Sequence, residues 1–137
     1  MQRKNFASTA FAGAAFLAAA FPAVFFGEDF AYSSMEKIIW TLCPFLVAIG
    51  AWIGARRFVM KKTPGSAAWR GALVGLALLQ VCVAGLSILD QGLGSWRRLL
   101  AMWWMGNVFC AIYCAVLAAI AGYLCRRFLS EHQPHTA

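Results

Sequence analysis

The sequence predicts an all-α membrane protein with four transmembrane helices and both termini cytoplasmic. Three observations lead there. Four long stretches carry no charged residue. Hydrophobic residues make up 62% of the 137, against 12% charged. The cations gather between and beyond the uncharged stretches rather than within them. A water-soluble domain holds about 25% charged and about 45–50% apolar residues, so this chain lacks the polar surface to coat a core in water. Its mean hydropathy of +0.69 says the same.

The uncharged stretches are residues 5–27, 38–55, 71–89 and 99–125. A spanning helix needs about 20 apolar residues, because roughly 30 Å of hydrocarbon is crossed at 1.5 Å per residue. Helices are therefore expected at about residues 6–26, 38–57, 71–89 and 99–125. Together they form a single integral membrane domain over residues 1–137, with residues 128–137 as a polar cytoplasmic tail. The first stretch has a rival reading as a secretory signal, since Arg3 and Lys4 precede an alanine-rich run. That run exceeds the 7–15 residues usual for a signal core, and Phe21-Pro22-Ala23-Val24 offers no clean small-x-small site. A retained helix is the expectation. Pro44 lacks an amide hydrogen and should bend the second helix or tighten its first turn. The fourth run is too long to cross straight, so it tilts, or its start lies in the interface.

Orientation follows from the cations. Arg3, Lys4, Arg56, Arg57, Lys61, Lys62, Arg70, Arg126 and Arg127 fall on one side, and Lys37, Arg97 and Arg98 on the other. The positive-inside bias makes the first side cytoplasmic. The outer segment with Glu28, Asp29 and Glu36 agrees. Tyr32, Trp40, Trp96, Trp103 and Trp104 gather toward the outer face, with Trp69 and Tyr123 near the inner one, as an aromatic belt. The net charge of +7 and pI near 9.6 would suggest nucleic acid in a soluble protein. Here the cations set topology and attract anionic lipids.

Helices in lipid gain little by hiding apolar surface from one another, so they pair where small residues let backbones approach. The fourth run offers such a seam at Asn107, Ala111, Cys114, Ala118, Ala121 and Cys125. The third offers Gly71, Gly75, Leu78, Cys82 and Gly85, and the second Gly50 and Gly54. Gln80 and Asn107 reach similar depth if both helices start at the outer interface, so the two amides form a pair that sets register, or line a polar pocket for a headgroup or sugar. Five residues from Gly75 is about 140° round a helix. That puts Gln80 on a different side from the glycines and gives the third helix two protein-facing sides.

What is missing narrows the function. No ionisable acid, base or histidine lies within a span, which removes the usual means of proton-coupled transport and of holding a haem between helices by histidine. His132 and His135 lie in the tail and read as part of a disordered end. The cysteines Cys43, Cys82, Cys110, Cys114 and Cys125 form no CxxC pair, fall within apolar runs and read as small packing residues. No catalytic constellation, metal site or cofactor site is expected. Arg56, Arg57, Arg126 and Arg127, with Arg97 and Arg98 on the side that resists the charge bias, are candidate phosphate or headgroup contacts. Their alternative role is to anchor helix ends.

Arg56-Arg57-Phe58 after the second run recurs seventy residues on as Arg126-Arg127-Phe128, as though two helical hairpins stood in tandem. With Arg56-Arg57-Phe58-Val59, Arg70, Val74-Gly75 and Arg126-Arg127-Phe128, the chain resembles the GtrA-like family of small four-helix membrane proteins. That resemblance implies help in moving polyprenyl-phosphate-linked sugars across the membrane, with the arginines near the diphosphate. A second resemblance, through Glu36, Trp40, Gly50 and Arg56-Arg57, is to the small four-helix subunits of tripartite transporters. It implies that the third and fourth helices brace a larger subunit. The expected function is a non-catalytic accessory or structural subunit of a bacterial-type inner membrane, with translocation of a lipid-linked substrate as the alternative. Its expected partners are the bilayer with its anionic lipids and either further copies of the chain or a larger membrane protein, with no nucleic acid.

Overall fold

The computed structural model describes residues 2–30, 34–61, 63–91 and 94–131. It contains helices α1 (Gln2–Phe30), α2 (Ser34–Arg57), α3 (Pro64–Gln91) and α4 (Trp96–Glu131), with a short 3-10 turn at Val59–Lys61. All four are long and apolar enough to cross a membrane. Tyr32, Ser33, His132 and His135 fall outside the described residues, as do the side chains of Glu28, Asp29, Glu36 and Asp90.

Each helix is longer than the uncharged run that predicts it, because flanking charged residues continue the helix instead of ending it. α4 shows this most clearly. It extends to Glu131, into the stretch read from sequence as a polar tail. Arg127 Nε lies 2.7 Å from Glu131 Oε1 one turn on, and Leu129 is buried against the other helices. α2 runs through Pro44, which is buried, and α1 runs through Pro22. Two threonine hydroxyls within the spans turn to their own helix. Thr9 Oγ1 donates to the Asn5 carbonyl and Thr41 Oγ1 to the Lys37 carbonyl, each at 2.8 Å, which satisfies them without a partner helix.

The basic connection between α2 and α3 is held by side chains that also mark its ends. Arg56 and Arg57 occupy the last turn of α2, where cations oppose the helix dipole. Pro64 opens α3 at the one helical position where a missing amide hydrogen costs nothing. The Ala67 amide closes the first turn on the Thr63 carbonyl at 2.9 Å. Between them Arg70 Nη1 donates to the Phe58 carbonyl at 2.9 Å, and its guanidinium lies 4.6 Å from the centre of the Phe58 ring. The carbonyl left over at the end of α2 is thereby satisfied.

The helices run up, down, up and down. Ala7 and Phe11 of α1, Ala51 and Ala55 of α2, Val59 and Met60 of the 3-10 turn, Ala67 of α3 and Leu129 of α4 form one buried cluster. This places the start of α1, the end of α2, the start of α3 and the end of α4 at one end of the bundle. Arg3, Lys4, Arg56, Arg57, Lys61, Arg70, Arg126 and Arg127 share that end, while Lys37, Arg97 and Arg98 lie at the other.

Two hairpins make the bundle. α1 packs along α2 and α3 along α4, and contact between the pairs is thinner. Across the seam Leu78 fills the space beside Gly50, where an added Cβ would lie 2.6 Å from its Cδ2. Val74 likewise fills the space at Gly54, 2.9 Å from such a Cβ. Farther along, Cys43 Sγ of α2 touches Cys82 Sγ of α3 at 3.7 Å. The cysteines are free thiols, and this contact is a test of the seam. Iodine in detergent should oxidise the pair to an intramolecular disulfide, two thiols giving one S–S bond and two equivalents of hydrogen iodide. A faster-migrating band on non-reducing gels should appear, and it should vanish in Cys43→Ser or Cys82→Ser. Persistence of that band in either variant would assign it to another cysteine pair, and its absence from the wild-type protein would mean α2 and α3 do not meet there.

A polar cluster between the third and fourth helices

The rows of small residues on α3 and α4 face each other at four-residue spacing. A Cβ added to Gly71 would strike the Ala118 carbonyl oxygen, and one at Gly122 would lie 2.6 Å from the Ala67 carbonyl oxygen. A Cβ at Gly75 would meet the Ala118 Cβ at 2.5 Å and the Cys114 carbonyl oxygen at 3.1 Å. Only residues without a Cβ permit so close an approach of two backbones. Of the seam expected from sequence, Gly71, Gly75, Cys114 and Ala118 meet here. Ala111 is half-buried, and Ala121 and Cys125 pack against the buried cluster. Gly85 faces open space. The residue that sequence reading passed over is Gly122, one turn beyond Ala118. The repeat Cys114-x3-Ala118-x3-Gly122 was the signal for it.

The third helix does have two protein-facing sides, though divided differently from the expectation. Val74, Leu78 and Cys82 face α2, while Gly71, Gly75 and Gln80 all face α4. Residues four apart drift about 40° round a helix, so the line of contact winds from Gly71 toward the far half of α3. There Val83 packs on Gly106, a Cβ on which would lie 3.0 Å from Val83 Cγ1. Gln80 is carried onto the α4 side by that winding.

Gln80 and Asn107 come together between the helices. Gln80 Nε2 donates to Asn107 Oδ1 in a short hydrogen bond. Asn107 Nδ2 donates in return to Gln80 Oε1 at 3.3 Å and to the Trp103 carbonyl at 2.9 Å. Trp103 Nε1 donates to Gln80 Oε1 at 2.7 Å. Trp103, expected as part of the aromatic belt, lies one turn before Asn107 and supplies a third donor. Both amide hydrogens of Asn107 and both lone pairs of Gln80 Oε1 are used. Each amide has a single polar position left, a donor on Gln80 Nε2 and an acceptor on Asn107 Oδ1.

The candidate phosphate contacts lie away from this cluster. Arg56 lies over the Trp52 ring at 5.3 Å, and Arg57 is exposed beside it. Arg97 lies over Trp96 at 5.9 Å and Arg98 is exposed, both at the opposite end. Arg126 is half-buried and Arg127 pairs with Glu131. The structure brings the two Arg-Arg-Phe sequences to the same end of the bundle. Phe128 meets Phe6 of α1, whereas Phe58 lies beneath Arg70. Among the described residues no group of three or more His, Cys, Asp or Glu is placed to hold a metal ion. Compared with known proteins, the chain matches no family model, no curated protein and no solved structure.

Proposed function

We propose that the chain is a multi-pass protein of a bacterial-type inner membrane, with both termini cytoplasmic, serving as a non-catalytic accessory or structural subunit. One observation carries this reading. The amides of Gln80 and Asn107 lie among the spans and are consumed by each other and by Trp103. They tie α3 to α4 and leave little with which to bind a substrate. The sides of the bundle support membrane placement. Val81 is 71% exposed, Phe109 76% and Ile112 75%, and apolar groups so exposed in mid-helix call for lipid or another membrane protein as neighbour.

Purification in mild detergent followed by native mass spectrometry tests the accessory role. A larger membrane partner or a defined homo-oligomer should be retained. A lone monomer would overturn the reading. Topology is checked separately by labelling Ser33→Cys from outside intact cells, which should succeed. The seam at Ala118 faces inward, so a partner must use the outer faces of the helices.

The position of the two Arg-Arg-Phe sequences at one end favours a second reading, the GtrA-like one, in which the chain moves a lipid-linked substrate. On that reading Gln80→Leu combined with Asn107→Leu should abolish transport while assembly survives. If the amides only join helices, both properties should weaken together.

A further inference from the structure

We propose that Cys43 and Cys82 are a redox modification site, a dithiol that a lipid-soluble quinone oxidises to a disulfide joining the two hairpins. The inference rests on membrane placement but not on the accessory role. The Cys43 thiol of α2 donates to Cys82 Sγ of α3 at 3.7 Å, across 39 residues of sequence. A disulfide holds its sulfurs at about 2.05 Å, so the two must close by about 1.7 Å. Pro44 follows Cys43 within α2 and offers no amide hydrogen to the Trp40 carbonyl, so the helix bends more easily here than elsewhere.

Depth selects the class of oxidant. Cys43 lies six residues beyond Lys37 and Cys82 eight before Asp90, which is about 9 and 12 Å along their helices. Half of the hydrocarbon is about 15 Å thick, so both thiols stand within the outer half of the bilayer core. A water-soluble disulfide does not reach that depth, whereas a quinone dissolved in lipid does. Both thiols are only half-buried, so lipid borders the site. In the reaction both S–H bonds break and one S–S bond forms. Two electrons and two protons pass to the quinone carbonyls, and a hydroquinone leaves. The position of the bond gives it a consequence. Contact between the hairpins is thin, and the buried cluster joins them at the end that carries Arg56 and Arg70. The disulfide adds a covalent hold toward the other end.

The full chain is reconstituted in liposomes, reduced, and incubated without oxygen with a decyl benzoquinone whose ring is fully substituted and so resists thiol addition. Free thiols are then counted by intact mass after maleimide blocking in SDS. The wild-type protein should fall from five free thiols to three, with one hydroquinone formed per chain. Cys43→Ser and Cys82→Ser should lose none, and Cys114→Ser should still lose two. Glutathione disulfide at the same concentration should act at least about tenfold more slowly, because exchange needs access to a thiolate. Five thiols retained by the wild-type protein under quinone would overturn the proposal, even if iodine closes the disulfide in detergent. So would loss of two thiols in Cys43→Ser or Cys82→Ser, a quinone adduct in place of the disulfide, or glutathione disulfide acting as fast as the quinone. Release of the chain from membranes by alkaline carbonate would instead overturn membrane placement, and is read independently of any thiol count.

Discussion

Gly71→Leu should part α3 from α4 and cost about 3 kcal/mol or more in reversible unfolding from mixed micelles, at the upper end of what overpacking usually costs. The reason is what the new side chain would meet. Its Cβ would fall on the carbonyl oxygen of Ala118, which is backbone and cannot swing aside, with the Cα of Gly122 3.4 Å away. The whole of α4 would have to retreat, and the contacts along the small-residue rows would go with it. Gly85→Leu is the matched control, because an added Cβ there meets nothing within 4 Å. It should change stability by less than about 0.5 kcal/mol. Equal stability of the two variants would mean that α3 and α4 do not pair through Gly71.

A double-mutant cycle on Gln80 and Asn107 should give the second largest effect. Gln80→Leu alone leaves Asn107 Oδ1 and the Trp103 indole without the partner each has here, while Asn107 Nδ2 keeps the Trp103 carbonyl. Leaving buried polar groups unpaired costs about 1–3 kcal/mol. Asn107→Leu alone should cost a similar amount. The double variant, with leucine on both helices, should be more stable than the sum of the single losses predicts. The coupling should fall between about 0.6 and 1.7 kcal/mol, as for other hydrogen bonds between membrane helices. Strict additivity in the same unfolding assay would show that the amides do not touch. Trp103→Phe keeps the ring and deletes the donor, so it should cost less than either amide substitution.

Much of this arrangement was legible because two kinds of residue constrain it strongly. Uncharged runs bounded by charged residues mark four helices, since neither end of a run can move far without burying a charge. Two amides among apolar residues imply a contact, since little else there can satisfy them. Helix ends were harder to read. Leu129 and Glu131 extend α4 by a burial contact and an i,i+4 ion pair, and hydropathy registers neither. The facing of α3 was also misjudged. Counting 140° between Gly75 and Gln80 assumes a partner that runs straight along one face, whereas α4 follows a row of residues four apart and winds round. The contact between Cys43 and Cys82 had no sequence signal, because it depends on how two hairpins settle together.

The Gln80–Asn107 contact also guards against a slip between helices. If α4 slid past α3 by four residues, about 6 Å, small residues would still oppose small ones at two glycines: Gly71 would come opposite Cys114 or Gly122, and Gly75 opposite Cys110 or stay near Ala118. The slide is resisted sterically elsewhere, since it would bring Ala118 or Arg126 to the Ala67 carbonyl in place of Gly122, and Met102 or Cys110 to Val83 in place of Gly106. The amides do not survive the slide. Gln80 would come opposite Ala111, with no hydrogen bond to offer, or Trp103, with one. Two polar side chains thus choose by hydrogen bonding the same alignment that the glycines choose by close approach.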